Sequence, residues 1–109
     1  MNIKSDNKGG TTIFRIEGNI DMGTSPDVKR YFNKIMEDKI KDVIINLEKV
    51  DYMDSSGLAT FVEMFKNIRR YEGRMKLVKP SKKVKGLFEI TKLDKLFEIF
   101  DNEEEVLGK

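Results

Sequence analysis

Asp54-Ser55-Ser56-Gly57 puts a carboxylate and two hydroxyls in four consecutive positions, a combination that invites three chemistries: nucleophilic attack, metal binding or modification by another protein. A serine nucleophile needs a neighbouring base and a supported turn. Met53-Asp54-Ser55-Ser56-Gly57 lacks the first glycine of G-x-S-x-G, and the chain has no histidine to act as that base. Asp21, Asp51 and Asp54 could offer oxygen ligands to a divalent cation, but their spacing follows no known cation-binding loop, and Asp51 can simply end a strand. Neither G-x-x-x-x-G-K-[ST] nor G-x-G-x-x-G occurs, so no loop for cradling a nucleotide phosphate is expected. The residues therefore predict no catalytic group, no metal and no cofactor, and the chain is not expected to be an enzyme. What remains is a serine presented to a partner. The bland reading of the same run is a helix entrance, since Asp and Ser side chains accept orphan backbone N–H groups and Gly relaxes a turn. The two readings coexist if one hydroxyl caps while the other faces solvent.

The flanking elements decide where that run sits. Upstream, Val43-Ile44-Ile45-Asn46-Leu47 is a short β-branched apolar run, as expected of a strand covered on both faces. Downstream, Leu58, Phe61, Val62, Phe65 and Ile68 recur at helical spacing and predict a helix starting near Ser55. The acceptor run thus lies at a strand's carboxyl end. Earlier in the chain, Lys8-Gly9-Gly10 signals a turn before Thr11-Thr12-Ile13-Phe14-Arg15-Ile16-Glu17, which predicts a hairpin from Asn2 to Glu17 with Phe14 and Ile16 on one face. Ser25 is the expected cap and Pro26 the first residue of a helix whose apolar side is Val28, Tyr31, Phe32, Ile35 and Met36. Glu72-Gly73 stops the next helix and Met75-Lys76-Leu77-Val78 reads as a strand. Pro80-Ser81 opens a third helix carrying Val84, Leu87 and Phe88, weakened by Gly86. Leu93 and Leu96 should pack in the following connection, Phe97 to Phe100 alternates as a short strand, and Asn102 caps a last helix with Glu105 at the reciprocal position.

This order predicts an α/β fold: a single domain over residues 1–109 with a mixed sheet of four to five strands and helices mainly on one face. Loops at the carboxyl ends of the central strands should bring Asp21, Asp54, Ser55 and Ser56 together, as ligand sites gather in open α/β sheets.

Composition narrows the partners. Among 109 residues, 39% are hydrophobic and 37% charged, enough for one core under a well-solvated surface. Twenty-one basic against 19 acidic residues leave only +2, and Lys79, Lys82, Lys83 and Lys85 have no interleaved aromatic ladder, so nucleic acid is not the expected partner. Without cysteine there is no disulfide framework or thiol chemistry. No stretch approaches the roughly 18 apolar residues of a membrane span, and the N-terminus has no apolar signal core, which predicts a cytoplasmic protein away from the membrane. The six methionines are scattered and read as core filler, except Met22, which follows Asp21 in a loop and is a candidate partner contact.

Asn46-Leu47-Glu48-Lys49-Val50-Asp51-Tyr52-Met53-Asp54-Ser55-Ser56-Gly57-Leu58 resembles the signature of STAS-domain anti-sigma factor antagonists. Gly18-Asn19-Ile20-Asp21 resembles that family's turn before the first helix, and Lys85-Gly86-Leu87-Phe88 through Phe97 its C-terminal region; the likeness covers about residues 3–107. The resemblance implies a STAS-like fold, phosphorylation at Ser55 by a serine kinase that is also an anti-sigma factor and itself holds ATP and Mg, and reversal by a phosphatase. It implies a partner-binding set of Asp21, Met22, Asp54, Ser55, Ser56 and Gly57, with Ser56 in a capping role. Ala59 stands where family members often carry glycine, a departure that leaves the acceptor intact. A second role compatible with the same fold is an adaptor subunit of a transport or signalling complex that works without phosphorylation.

Overall fold

The computed structural model describes residues 1–107. Asn2–Lys8 (β1) and Thr11–Glu17 (β2) form the expected antiparallel hairpin, closed by Gly9 and Gly10 at φ 58° and 87°. Positive φ at both turn positions matches the right-handed twist of the strands, and glycine adopts it without steric cost. Ser25–Glu37 (α1) then crosses to Asp42–Lys49 (β3), Ser55–Arg70 (α2) to Arg74–Val78 (β4), and Lys82–Ile90 (α3) to Glu98–Phe100 (β5), with Glu103–Leu107 (α4) last. The strands lie in the order β1-β2-β3-β4-β5; β1 runs antiparallel to β2, and every later pair is parallel.

The strand pattern follows from burial on both faces. Val43, Ile44, Ile45 and Leu47 of β3 are all buried, and Asn46 joins them at 8% exposure. One face packs against Val28, Phe32 and Ile35 of α1, Leu58, Phe61, Met64 and Ile68 of α2, and Val84 and Phe88 of α3. The Phe32 and Phe61 rings meet edge to face at 5.4 Å, an arrangement favoured by the ring quadrupoles. The opposite face is small: Ile13, Ile44 and Val78 are covered by Phe100 and by Val106 of α4. Helices therefore lie mainly on one face, with α4 alone on the other.

Several local expectations change. Ser25 is inside α1 and buried, while Thr24 holds the capping position. Thr24 makes no side-chain cap hydrogen bond, because its hydroxyl is committed to the preceding loop, donating to the Asn19 carbonyl at 2.7 Å and accepting from the Asp21 amide at 2.9 Å. Met64, not Val62 or Phe65, takes the deep position on α2; the latter two are half-buried. The left-handed residue after α2 is Glu72, at φ 65°, whereas Gly73 is needed for close packing, since a Cβ there would lie 2.8 Å from Ile68 Cγ2. Leu93 packs against the core, but Leu96 is 39% exposed because the 3₁₀ turn Leu93–Lys95 points it outward. The last helix begins as read: Asn102 Oδ1 accepts from the Glu105 amide at 2.9 Å, and Glu105 reaches back to the Asp101 amide at 3.2 Å.

A polar cluster fastens α4 to the sheet. The Arg15 guanidinium donates to both Glu103 oxygens, at 3.0 and 2.8 Å, and Asn46 Nδ2 donates to Glu103 Oε2 at 2.7 Å. Burial pushes the Glu103 carboxyl up, but these hydrogen bonds and the Arg15 charge outweigh it and leave the group below its usual range.

Candidate functional site

The site is built where the β2–β3 pairing runs past the ends of both strands. The Gly18 amide donates to the Lys49 carbonyl at 3.0 Å, Ile20 N to Tyr52 O at 2.9 Å and Asp54 N to Ile20 O at 3.1 Å, and Ile20 pairs with Met53 as an isolated parallel bridge. Ile20 and Met53 are buried and act as the floor; the residues just after them emerge at the surface. This zipper brings Asp21 and Met22 of one loop beside Asp54, Ser55 and Ser56 of the other, the convergence expected from a parallel sheet.

Asp54 is the centre of the arrangement. Its Oδ1 caps α2 by accepting from the amides of Ser56 at 2.9 Å and Gly57 at 3.1 Å, and its Oδ2 accepts from the Met22 amide across the loops at 3.2 Å. The Ser56 hydroxyl donates to the same Oδ1 at 2.6 Å, so Ser56 buttresses the cap while Asp54 supplies it. Hydrogen bonds from the Ser56 hydroxyl and then from the Gly57 amide, helped by those of Ser56 and Met22, hold the Asp54 carboxyl below its ordinary range against the pull of burial. A fixed negative charge therefore sits at the entrance of α2.

Ser55 is placed differently from its neighbour. It is exposed at the first position of α2, and among the described residues no hydrogen bond engages its hydroxyl. Met22 is 78% exposed on the adjoining loop. Asp21 shapes that loop, with Oδ1 accepting from the amides of Gly23 at 2.9 Å and Thr24 at 3.1 Å. Gly57 lies underneath: it is buried, and a Cβ there would meet Met53 Cγ at 2.7 Å, Ile20 Cγ2 at 2.8 Å and the Ile20 carbonyl oxygen at 3.1 Å. Its role is to let α2 approach the floor rather than to relax a turn.

Three features escaped the sequence reading. Thr24 staples the Asp21 loop, and Tyr52 stands half-exposed beside the zipper. From Ser55 a shallow groove of about 470 Å³ runs along α2, lined by Leu58, Ala59, Val62 and Leu93. Ala59 is exposed and Val62, one helical turn on, is half-buried at the margin of the core; an apolar residue at an exposed helix position was the available signal. A larger concavity, about 700 Å³ beside α4, is elsewhere; of its charged residues Lys79 Nζ pairs with Glu48 at 3.0 Å and Glu103 with Arg15, and Lys8 and Glu104 complete the charged lining. No helix among the described residues is long and apolar enough to cross a membrane.

Residues 2–106 match the family model described as the STAS domain. The chain is 35% identical over 108 residues to an anti-sigma-B factor antagonist of Listeria monocytogenes, covering 99% of this chain and 94% of that protein. It is 29% identical over 104 residues to the anti-sigma-B factor antagonist of Staphylococcus aureus, covering 95% and 96% of the two chains. Among solved structures, an anti-sigma factor antagonist from Mycobacterium paratuberculosis superposes with a TM-score of 0.89 at 20% identity, over 98% of this chain and 91% of that one, a likeness of fold.

Proposed function

The chain belongs to the STAS domain family, and on that premise we propose that it is an anti-sigma factor antagonist switched by phosphorylation of Ser55. In its unmodified form it docks on a serine-kinase anti-sigma factor through Asp21, Met22, Asp54, Ser55 and Ser56, with Gly57 holding the floor beneath them, and a sigma factor is thereby released. The partner holds ATP and Mg. The Ser55 Oγ attacks the γ-phosphorus, the bond to the leaving ADP breaks, and the hydroxyl proton passes to a base of the kinase. A phosphatase restores the hydroxyl by hydrolysis.

The observation that carries this reading is the contrast between the two serines: Ser56 is tied to Asp54 at 2.6 Å, while Ser55 is exposed with its hydroxyl unengaged. A phosphate on Ser55 brings about −1.5 to −2 charges to a helix N-terminus, which tolerates them, so the fold survives. The interface is the sensitive partner. The new charge stands beside the Asp54 carboxylate, held ionised by its hydrogen bonds, and both must be desolvated in any contact centred there. A loss of about a hundredfold in affinity, roughly two factors of ten, turns a binder into a non-binder.

The test is a titration of the cognate anti-sigma factor with three forms of the chain. Ser55→Ala should bind within about threefold of the parent, and Ser55→Asp about a hundredfold more weakly. Equal binding by Ser55→Ala and Ser55→Asp would remove the charge switch and favour an adaptor that works without modification.

A further inference from the structure

The β1 edge of the sheet is open and lies apart from Ser55. β1 is the outer strand of the order β1-β2-β3-β4-β5, and every one of its residues except Ile3 is exposed. The two-residue turn at Gly9 and Gly10 fixes the phase of its backbone. With Lys8 opposite Thr11 closing the turn, Lys8, Asp6, Lys4 and Asn2 spend their amides and carbonyls on β2, while those of Asn7, Ser5 and Ile3 point outward. Among the described residues no backbone hydrogen bond from another element covers those outward groups. Such a row is a template for another strand unless something blunts it; neither a proline nor a bulge does so here, and the exposed charges of Lys4, Asp6 and Lys8 restrict pairing to a strand whose charges complement them.

The side chains single out which strand fits. We propose that β1 pairs antiparallel with β1 of a second copy of this chain, about a two-fold axis at Ser5, joining two sheets into one. In that register Ser5 faces Ser5, and Ile3 faces Asn7 of the other copy, so all the outward amides and carbonyls from Ile3 to Asn7 are satisfied by about six backbone hydrogen bonds. The intervening closely spaced pairs set Lys4 against Asp6 on both sides of the axis, and Asn2 against Lys8. Lys4 has no ion-pair partner in its own chain among the described residues, and its cross-strand neighbour on β2 is another cation, Arg15. Asp6 already faces Arg15 Nη1 at 3.8 Å, so the pairing brings the unmatched lysine to the one acid of the strand. The smallest slips that keep the outward amides paired, two residues either way, set Lys4 against Lys4 or Asp6 against Asp6, and like charges directly opposite oppose pairing. Charge thus selects one register.

The contact is a single strand pair with little apolar surface, well under the roughly 1,200 Å² of a stable complex, so a weak dimer is expected, populated at about 0.1–1 mM protein. Ile3 packs against the main core and keeps β1 in place, which limits the ordering cost of pairing.

Sedimentation across that concentration range gives the first readout. The parent chain should self-associate, Lys4→Asp should weaken the dimer at least about tenfold, and adding Asp6→Lys should return it to within about threefold, because the swapped charges again face each other and Asp at position 4 also faces Arg15. A second readout does not depend on affinity. The chain has no cysteine, so an introduced thiol has no competitor. Directly opposed residues with outward amides lie about 5.5 Å apart at Cα, inside the window for a disulfide. Under mild oxidation Ser5→Cys should form a linked dimer at least about ten times faster than Asn7→Cys, whose two copies would sit about four residues, roughly 13 Å, apart. A parent chain that stays monomeric at about 1 mM overturns the proposal, as does crosslinking at position 7 that matches or exceeds that at position 5.

Discussion

Replacing Gly57 by alanine asks whether the floor of the site is as tight as its geometry. The added Cβ would sit 2.7 Å from Met53 Cγ, 2.8 Å from Ile20 Cγ2 and 3.1 Å from the Ile20 carbonyl oxygen, where ordinary contacts are 3.4 Å or longer. Neither neighbour has room to retreat, since Met53 and Ile20 are buried and the Ile20 carbonyl accepts from the Asp54 amide at 3.1 Å. Overpacking of this kind costs about 1–3 kcal/mol, and two contacts under 3.0 Å with a third on backbone put it in the upper half. Better helix propensity returns at most about 1 kcal/mol, leaving a net loss of about 1–2 kcal/mol, or a Tm lower by roughly 4–12 °C. Gly86→Ala is the matched control: nothing lies within 4 Å of its Cβ, so the propensity gain stands alone and Tm should rise by roughly 2–6 °C. Because Ile20 and Met53 carry the loops of Met22 and Asp54, Gly57→Ala should also weaken partner binding, whereas Gly86→Ala should not. Paired thermal melts and titrations with the cognate anti-sigma factor read both effects. If Gly57→Ala melts at or above the parent temperature, the steric account of the floor is wrong.

Other consequences are equally concrete. The Asp54 carboxyl is held low in the folded chain, so its stabilising contribution is fully present above about pH 4 and is lost as pH falls through its lower folded value; Asp54→Asn, which preserves a capping oxygen, should flatten the acid limb of a stability-versus-pH curve measured by denaturant titration. Glu103→Gln keeps the shape of the α4 anchor but discards the charge that Arg15 pairs with, and should lower amide hydrogen-exchange protection in α4 while leaving β3 and β4 unchanged. Ile13→Ala should destabilise by about 2–5 kcal/mol in a thermal melt, since that side chain is fully buried in the small second core.

Much of this architecture is legible because its signals are local. The apolar run at Val43 to Leu47 can be buried on both faces only in a central strand, and the glycine pair at 9 and 10 dictates its hairpin. Parallel crossovers then force the loops after β2 and β3 to the same edge, which is how Asp21 and Asp54 find each other across 33 positions of sequence. What stays hidden depends on partners remote in sequence. Ile13 looks solvent-facing from strand alternation with Phe14 and Ile16, yet a five-residue helix some ninety positions later covers it. Thr24 stands at the N-cap position of α1 with its hydroxyl spent on Asn19 and Asp21 instead of on a helix amide, a loop geometry that capping preference alone does not contain. Gly57 reads as turn chemistry until the positions of Ile20 and Met53 are known. Composition leaves the two serines equivalent; the family resemblance points to Ser55, and the physical difference, that the Ser56 hydroxyl is spent on Asp54, is visible only in the structure.

Mapping the phosphate after incubation with the cognate kinase and Mg-ATP tests the switch most directly. Tandem mass spectrometry should place a single phosphate on Ser55, with Ser55→Ala unmodified and the phosphorylated chain no longer retained by the anti-sigma factor. Phosphate on Ser56, or a Ser55-phosphorylated chain that binds as tightly as the unmodified one, would contradict the account.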